Sequence, residues 1–194
     1  FSNASSHRMD ADVPLLVPEV NPEHLRLVPI QQKKRGWSKG FIVTDPNCSA
    51  AGLVVALKPL YEAFGIRRMI VTTMQALSGA GYPGVPGLDT LDNVVPYIGG
   101  EEDKMAREPL KMLGAFSAEQ EAVIPAGFAI SAACNRVATR DGHLEAVSVE
   151  FEHKPSLDEV IAALKGFESL PFKLGCPSAV DPTIIVRTEP DRPQ

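Results

Sequence analysis

The segment that decides the fold is residues 41–74, FIVTDPNCSAAGLVVALKPLYEAFGIRRMIVTTM. It opens with an apolar run at 41–44 and a Pro-Asn turn, after which apolar side chains recur at spacings of three and four over 49–64. That spacing places them on one face of a helix, which Pro59 should kink or split. A second run of β-forming residues follows at 69–74. Strand, helix and strand in this order predict a βαβ unit.

Outside this segment the sequence predicts further strands and helices. They are a strand at 94–98, a helix over 101–113, strands at 128–137 and 144–152, a helix that begins at the capping box Ser156/Glu159, and a last strand at 183–188. Residues 1–40 are rich in proline and lack periodicity, so we expect an extended segment with turns there. The predicted fold class is α+β, with one core over 41–188 and a polar tail at 189–194.

Composition limits the possible functions. A chain of 194 residues with 44% hydrophobic content can bury a core, and a net charge of −5 argues against nucleic acid as the main partner. The longest apolar run, residues 50–57, is too short to cross a bilayer, and the first residues do not resemble a signal peptide. Three cysteines do not suggest a disulfide framework. We therefore expect a cytoplasmic protein without a membrane partner.

Cys48 is the strongest candidate for chemistry. It stands at the start of the first predicted helix, where unpaired backbone N–H groups and the helix dipole favour a thiolate that could attack a carbonyl carbon. The alternative is a small buried side chain that happens to precede a helix. Cys134, in an apolar strand, and Cys176, beside a proline, lack this setting and are expected to be structural.

His143 begins a predicted strand, where its imidazole could transfer protons or simply lie on the surface. His7, His24 and His153 have polar or proline neighbours and are expected at the surface. No His/Cys cluster has the spacing of zinc ligands, so no metal is implied. The glycines of 79–84 match G-x-G-x-x-G, but nearby prolines prevent a helix from starting, so this match to a dinucleotide fingerprint is interpreted as accidental.

Four ordered motifs resemble those of one enzyme family. They are Asp45-Pro46-Asn47-Cys48-Ser49, Gln75-Ala76-Leu77-Ser78-Gly79-Ala80-Gly81, Glu101-Glu102-Asp103-Lys104, and the pair Arg136 and His143. Together they resemble the catalytic and dimerisation domain of the aspartate-β-semialdehyde dehydrogenase family. Asp45 departs from that family's Asn, and Ala138-Thr139 replaces its usual Pro-Val.

The resemblance implies a role for each matched residue. The implied set is Cys48 as nucleophile, His143 as general acid/base, Gln75 to orient a thioester, Asn47 to position phosphate or the reacting carbonyl, Arg136 and Glu101 to hold the substrate's carboxylate and amine, Lys104 to bind phosphate, and Ser78 and Gly79 against the nicotinamide end of NADP. The implied substrates are L-aspartate 4-semialdehyde and inorganic phosphate, in the biosynthesis of lysine, threonine and methionine.

The resemblance also implies an architecture. It predicts a mixed β-sheet backed by helices, as in the C-terminal catalytic domain of glyceraldehyde-3-phosphate dehydrogenase, and a homodimer or homotetramer formed through the open face of the sheet. The family's N-terminal NADP-binding domain and final helix have no counterpart in these 194 residues, so we expect the chain alone to be inactive. Two alternatives stay open: a related acyl-CoA or N-acetylglutamyl-phosphate reductase domain, and a catalytically silent dimerisation module.

Overall fold

Residues 2–191 are described by a computed structural model of the chain. Two short 3-10 turns, Ser5–His7 and Pro22–Arg26, precede the first helix. The helices are α1 (Leu27–Arg35), α2 (Cys48–Phe64), α3 (Gly87–Thr90), α4 (Glu101–Met112), α5 (Leu157–Lys165) and α6 (Leu170–Lys173), with one further 3-10 turn at Leu77–Ala80. The strands are β1 (Ile66–Gln75), β2 (Ala115–Ser117), β3 (Ala122–Ile124), β4 (Ala129–Arg136) and β5 (Leu144–Phe151).

The main sheet is mixed and has the strand order β4-β1-β5. β1 runs parallel to β4 and antiparallel to β5. In this register Gln75 lies opposite Arg136, and Met74 lies opposite Leu144. The end of β1, the end of β4 and the start of β5 therefore meet at one edge of the sheet. The expected α+β class with a mixed sheet and helices is confirmed.

Helices α2 and α4 pack against each other and against one face of this sheet. Their apolar sides and the inward side chains of β1 and β4 form the core, with Leu53, Val54, Met69, Met105 and Met112 all nearly inaccessible to solvent. α2 continues through Pro59 without being split. The predicted helices at 49–64, 101–113 and after Ser156 are confirmed, and so are the strands at 69–74, 128–137 and 144–152.

The predicted strand at 41–44 is wrong. Only Thr44 forms β-bridges, to Ser2 and Leu15. The backbone of Ile42 is satisfied by a side chain instead, because the amide of Gln31 donates to its carbonyl at 3.1 Å and accepts from its N–H at 2.6 Å. The predicted βαβ unit consequently lacks its first strand, and the parallel partner of β1 is β4, which follows α4.

The N-terminal segment is more structured than expected. Instead of being extended throughout residues 1–40, it contains α1 and the 3-10 turn at Pro22–Arg26, and Leu15 and Val20 belong to the core. His24, expected at the surface, is fully buried. Its Nε2 lies 3.0 Å from the carbonyl oxygen of Gly114 and its Nδ1 lies 2.9 Å from the amide nitrogen of Asn21. Both ring nitrogens are thus paired, which is what permits the burial.

Two other predicted strands are also reduced or missing. In 94–98 only Val95 pairs, in an isolated antiparallel bridge to Arg136. Residues 183–188 form bends and irregular backbone. The predicted tail at 189–194 lies partly outside the described residues.

Lys111 ties α4 to the N-terminal segment. Its side chain is buried, and its Nζ donates to the carbonyl oxygens of Arg8, Asp10 and Val13 at 2.7 to 2.8 Å. Burial lowers the pKa of Lys111 to about 8, so the ammonium still carries its charge at pH 7. The three N–H groups of this ammonium therefore hold residues 8–13, which lie outside the helices and strands.

Replacing Lys111 by Met should destabilise the fold by about 2–4 kcal/mol, because the buried carbonyl groups of Arg8 and Val13 and the partly buried one of Asp10 lose the ammonium donor. Urea unfolding monitored by circular dichroism measures this change. The control is Lys33→Met, since the Lys33 side chain is 80% exposed and its loss should change stability by less than about 0.5 kcal/mol. Equal unfolding midpoints for the two variants would contradict the assignment.

Candidate active site

Asn47 caps helix α2 and places Cys48 at its first position. The Asn47 Oδ1 accepts from the backbone N–H groups of Ser49 at 3.0 Å and Ala50 at 3.2 Å. The Cys48 side chain is exposed beside this helix start, where the partial positive charge of the helix end favours an anionic sulfur. The reading of Cys48 as a small buried side chain is wrong.

Two glutamates of α4 accept hydrogen bonds from Asn47. Its side-chain Nδ2 donates to Glu101 Oε2 at 2.6 Å, and its backbone N–H donates to Glu108 Oε2 at 2.6 Å. Its carbonyl oxygen accepts from Ala51 at 2.9 Å, within the first turn of α2. These bonds use both backbone groups, the Oδ1 and one N–H of Nδ2, so the second N–H of Nδ2 is the group of Asn47 that could contact phosphate or a reacting carbonyl.

His143 faces the sulfur of Cys48. Its Nε2 lies 3.1 Å from Cys48 Sγ, and its Nδ1 accepts from the backbone N–H of Ala76 at 3.0 Å. An Nδ1 that accepts a hydrogen bond carries no proton, so a neutral imidazole must hold its proton on Nε2, directed at the sulfur. Burial and the positive charge of Arg136 lower the pKa of His143, which favours this neutral form.

Gln75 and Arg136 form the next part of the site, at the paired ends of β1 and β4. Both are buried, and Arg136 Nη1 donates to the carbonyl oxygen of Ala76 at 2.7 Å. The Gln75 Oε1 lies 3.5 Å from the same Nη1, and the Gln75 Nε2 lies 3.4 Å from Glu101 Oε2. A guanidinium fixed through one nitrogen in this way can present its other N–H groups to a carboxylate.

Glu101 is a buried carboxylate with several partners. Besides Asn47 it accepts from Lys104 Nζ at 2.7 Å. Burial alone would raise the pKa of Glu101, but the hydrogen bonds from Lys104 and Asn47 outweigh it and hold that pKa below its ordinary value. Glu101 is therefore ionised at neutral pH, and Lys104, which is about one-third exposed, reaches from this pair toward solvent.

Gly79 allows the loop after β1 to approach the site closely. A Cβ placed on Gly79 would lie 2.9 Å from Arg136 Nη1 and 3.1 Å from His143 Nε2. Arg136 and His143 thus reach the same point, and only a residue without a side chain fits there. Ser78 is exposed in the same loop, and its backbone N–H donates to the carbonyl oxygen of Arg140 at 3.0 Å.

A cavity beside Cys48 contains a carboxyl group that the sequence analysis missed. The cavity is lined by Cys48, Gly52, Leu53, Ala56, Gly142, His143, Glu145 and Val147. Within the described residues, Glu145 Oε2 is buried without a hydrogen-bond partner, and burial raises the pKa of Glu145 to about 7. The alternation of β5 could have revealed it, because residues 143 and 145 must point to the same face of the strand.

The raised pKa of Glu145 makes stability depend on pH in a definite direction. The contribution of Glu145 to the free energy of unfolding is fully present below its unfolded-state pKa near 4.5. It is lost as the pH rises through about 7, because the folded protein must then bury a negative charge. Glu145→Gln should therefore raise the urea midpoint at pH 8 and have a smaller effect at pH 5. The control is Glu119→Gln, because Glu119 is exposed. The difference in urea midpoint between this variant and the wild type should be the same at pH 5 and pH 8.

The structure brings most of the expected site residues into one connected network. Cys48 contacts His143, Asn47 contacts Glu101, and Gln75 links Glu101 to Arg136. Lys104 joins through Glu101, and Gly79 packs against Arg136 and His143. Cys134 is buried within β4, and Cys176 is exposed after α6.

Comparison with known proteins shows that the chain is similar to part of several aspartate-semialdehyde dehydrogenases. The aspartate-semialdehyde dehydrogenase of Methanothermobacter thermautotrophicus is 52% identical to this chain. The enzymes of Archaeoglobus fulgidus and Saccharomyces cerevisiae are 55% and 50% identical to it. Each of these matches covers 100% of this chain but only 54 to 56% of the relative. The chain therefore spans about half the length of the curated relatives it matches.

Solved structures agree. A crystal structure of aspartate semialdehyde dehydrogenase with NADP from Candida albicans superposes with a TM-score of 0.86 at 46% identity, covering 99% of this chain and 55% of that one. Aspartate semialdehyde dehydrogenase II from Vibrio cholerae, in complex with ASA, gives a TM-score of 0.69 at 31% identity over 86% of this chain and 52% of that one. The profile of the family described as "Semialdehyde dehydrogenase, dimerisation domain" matches residues 57–194. Because that match covers most of the chain, the chain belongs to the semialdehyde dehydrogenase dimerisation-domain family.

Proposed function

We propose that this chain is the catalytic and dimerisation half of an NADP-dependent dehydrogenase that interconverts L-aspartate 4-semialdehyde and L-4-aspartyl phosphate through a thioester on Cys48. The observation that carries the proposal is the 3.1 Å contact between Cys48 Sγ and His143 Nε2 at the start of α2. A thiolate held by an N–H donor and a helix end has the setting of an activated nucleophile. The names of the relatives supply the substrate class.

In the first step, the Cys48 thiolate attacks the aldehyde carbon, a C–S bond forms, and the carbonyl π electrons move to oxygen. The proton on His143 Nε2 points into the space next to the sulfur, so it can donate a hydrogen bond to the developing oxyanion while the imidazole stays neutral. His143 thus acts first as a donor. Accepting a proton on Nδ1 would require the bond from Ala76 to open.

The amino-acid end of the substrate is assigned to Arg136 and Glu101. Arg136 is buried and has N–H groups to spare for a carboxylate, whereas the ionised Glu101 provides the complement of an α-ammonium group. Gln75, between them, is placed to orient the acyl group of the thioester. Lys104 offers an ammonium at the solvent side of the same pair, which suits phosphate. Asn47 contributes by holding the start of α2.

The backbone at Ser78 and Gly79 is assigned to the nicotinamide end of NADP, because it is exposed to solvent and lies directly beside His143 and Arg136. Bound beside Ser78 and Gly79, NADP would supply a hydride acceptor for the oxidation of the adduct on Cys48 to a thioester. Inorganic phosphate then attacks the thioester carbon, and the sulfur leaves as a thiolate that again accepts from His143 Nε2–H. In biosynthesis of lysine, threonine and methionine the same steps run in reverse.

Three further features belong to the proposal. The sheet face opposite α2 and α4 exposes Ile70, which is 59% accessible, and we assign this face to the contact between two copies in a homodimer or homotetramer. A reducing compartment such as the cytoplasm would keep Cys48 as a free thiol. Since the relatives are almost twice as long, residues 1–194 alone should lack turnover.

No helix in residues 2–191 has the length and apolarity needed to cross a membrane.

Replacing Cys48 by Ser in the full-length protein that carries this chain should lower kcat by at least about 10³-fold, because the nucleophile is lost. The assay follows phosphate-dependent reduction of NADP with L-aspartate 4-semialdehyde. Cys176→Ser is the matched control, since this cysteine is also exposed but lies outside the network, and it should retain wild-type turnover.

The same assay separates the alternatives. Turnover with N-acetylglutamate 5-semialdehyde or an acyl-CoA but not with L-aspartate 4-semialdehyde would contradict the proposed substrate. Absence of turnover with all of them, in a folded protein that binds NADP, would instead support a silent dimerisation module.

Gly79→Ala should displace His143 or Arg136, because the new methyl group would lie within about 3 Å of both. We expect kcat/KM to fall by roughly 10²-fold, as for other sub-ångström misplacements of catalytic groups. Gly99→Ala is the control, since a Cβ on Gly99 meets nothing within 4 Å. Equal activity of the two variants would show that Gly79 does not set the geometry of the site.

A further inference from the structure

Glu108 lies two helical turns after Glu101 and is 2% exposed. Its two carboxylate oxygens have different partners. Oε2 accepts from the backbone N–H of Asn47 at 2.6 Å, and Oε1 accepts from Arg8 Nη1 at 3.0 Å. The bond to Asn47 is one residue away from Cys48, so Glu108 contacts the helix start that carries the nucleophile without touching the nucleophile itself.

Arg8 is also buried, with 8% exposure, and it lies on the N-terminal segment instead of on the sheet or on α2. Its second terminal nitrogen, Nη2, donates to the carbonyl oxygen of Asn3 at 2.7 Å. The guanidinium is thereby fixed from two sides. A continuous path of hydrogen bonds runs from Asn3 through Arg8 and Glu108 to the backbone of Asn47.

This path contains an electrostatic conflict that the ion pair between Arg8 and Glu108 resolves, with the buried Lys111 ammonium also within electrostatic reach of Glu108. Glu108 fixes the start of α2 by accepting from Asn47, but its negative charge opposes a thiolate on the next residue. Glu101 has the same relation to Asn47, and there Lys104 supplies the compensating positive charge at 2.7 Å. Arg8 supplies it for Glu108. Asn47 is thus held by two buried carboxylates, each neutralised by its own cation.

We propose that Glu108 and Arg8 are positioning residues for Cys48: Glu108 fixes the first turn of α2 through the Asn47 amide, and Arg8 cancels the charge that would otherwise disfavour the Cys48 thiolate. This inference rests on the proposed role of Cys48 as nucleophile. It assigns part of the electrostatic setting of the site to a residue 40 positions before the cysteine, on a segment outside the helices and the sheet that build the site.

The test measures alkylation of Cys48 by iodoacetamide as a function of pH in the full-length protein that carries this chain. Mass spectrometry of the peptide that contains Cys48 gives the rate, and exposed Cys176 serves as an internal reference. The variants are Arg8→Met, Glu108→Gln and the double variant. Glu108→Gln keeps an amide oxygen as acceptor for Asn47 while removing the charge.

Arg8→Met should raise the pH midpoint of Cys48 alkylation by on the order of one unit, because the buried Glu108 carboxylate, bonded to the residue before Cys48, then lacks its ion-pair partner. Glu108→Gln should lower the midpoint, since Arg8 is then the uncompensated charge. The double variant should return to within about 0.3 unit of wild type, because neither charge remains. Opposite shifts that cancel are the signature of charge compensation, and loosened packing would not produce them.

The other charged groups that face Cys48 are the same in every variant. They are His143, which contacts the sulfur, and Glu145 in the same cavity, with Arg136, Glu101 and Lys104 further along the network and Lys111 within electrostatic reach of Glu108. Their effects on the midpoint cancel in the comparison. Arg8→Met could be too unstable to purify, in which case Glu108→Gln and the double variant carry the test, because neither buries an unpaired carboxylate. The midpoint of the double variant must then lie above that of Glu108→Gln.

Shifts of equal sign in the two single variants, or shifts below about 0.2 unit in proteins with wild-type circular dichroism, would overturn the proposal. Equal midpoints for Glu108→Gln and the double variant would do the same. Alkylation requires neither substrate nor NADP, so these results are independent of the reaction assigned above. If the proposed function were wrong, the Cys48→Ser variant would instead keep the turnover of the wild type.

Discussion

The site depends on the way in which Asn47 is held. Its Oδ1 caps α2, while its backbone N–H donates to Glu108 and its Nδ2 donates to Glu101, seven residues earlier on the same side of α4. Two turns of helix separate the Cα atoms of these glutamates by about 10 Å, and Asn47 lies between their carboxylates with one donor directed to each. Because Asn47 is bonded to both glutamates and to the first turn of α2, that turn has one position relative to α4. Cys48 is the first residue of this turn, so the place of its sulfur is set by the same bonds.

The mixed sheet supplies the other half of the constellation. Parallel pairing of β1 with β4 brings Gln75 and Arg136 side by side, and antiparallel pairing with β5 returns His143 to the same edge. β1 is the central strand, so the loop that leaves it can reach both neighbours. Ala76 uses this place to orient the imidazole through its N–H and the guanidinium through its carbonyl. The backbone of one residue, through the peptide groups on either side of it, thus sets the relative position of two side chains.

Near the site, most of the buried charges are paired. The polar side of α4 carries Glu101, Lys104, Glu108 and Lys111 in succession, and each has a partner of opposite charge or a set of carbonyl oxygens. Among the described residues, Glu145 is the exception in the site: its buried oxygen has no partner, and its pKa rises accordingly. A group of this kind beside the proposed nucleophile is neutral at mildly acidic pH, so it adds no charge against the thiolate there.

Local sequence determined the elements whose ends and periodicity are encoded within a few residues: α2 with its Asn47 cap, α5 with its capping box, and the strands on either side of the site. The ordered motifs also indicated Cys48, His143, Arg136 and Glu101. Contacts between distant residues decided the rest. Gln31 took the backbone partners of Ile42, and Asn21 and Gly114 buried His24. Glu108 reached Asn47 across 61 positions. Side-chain hydrogen bonds over such separations leave no periodic trace in a sequence, because they depend on where folding places each group.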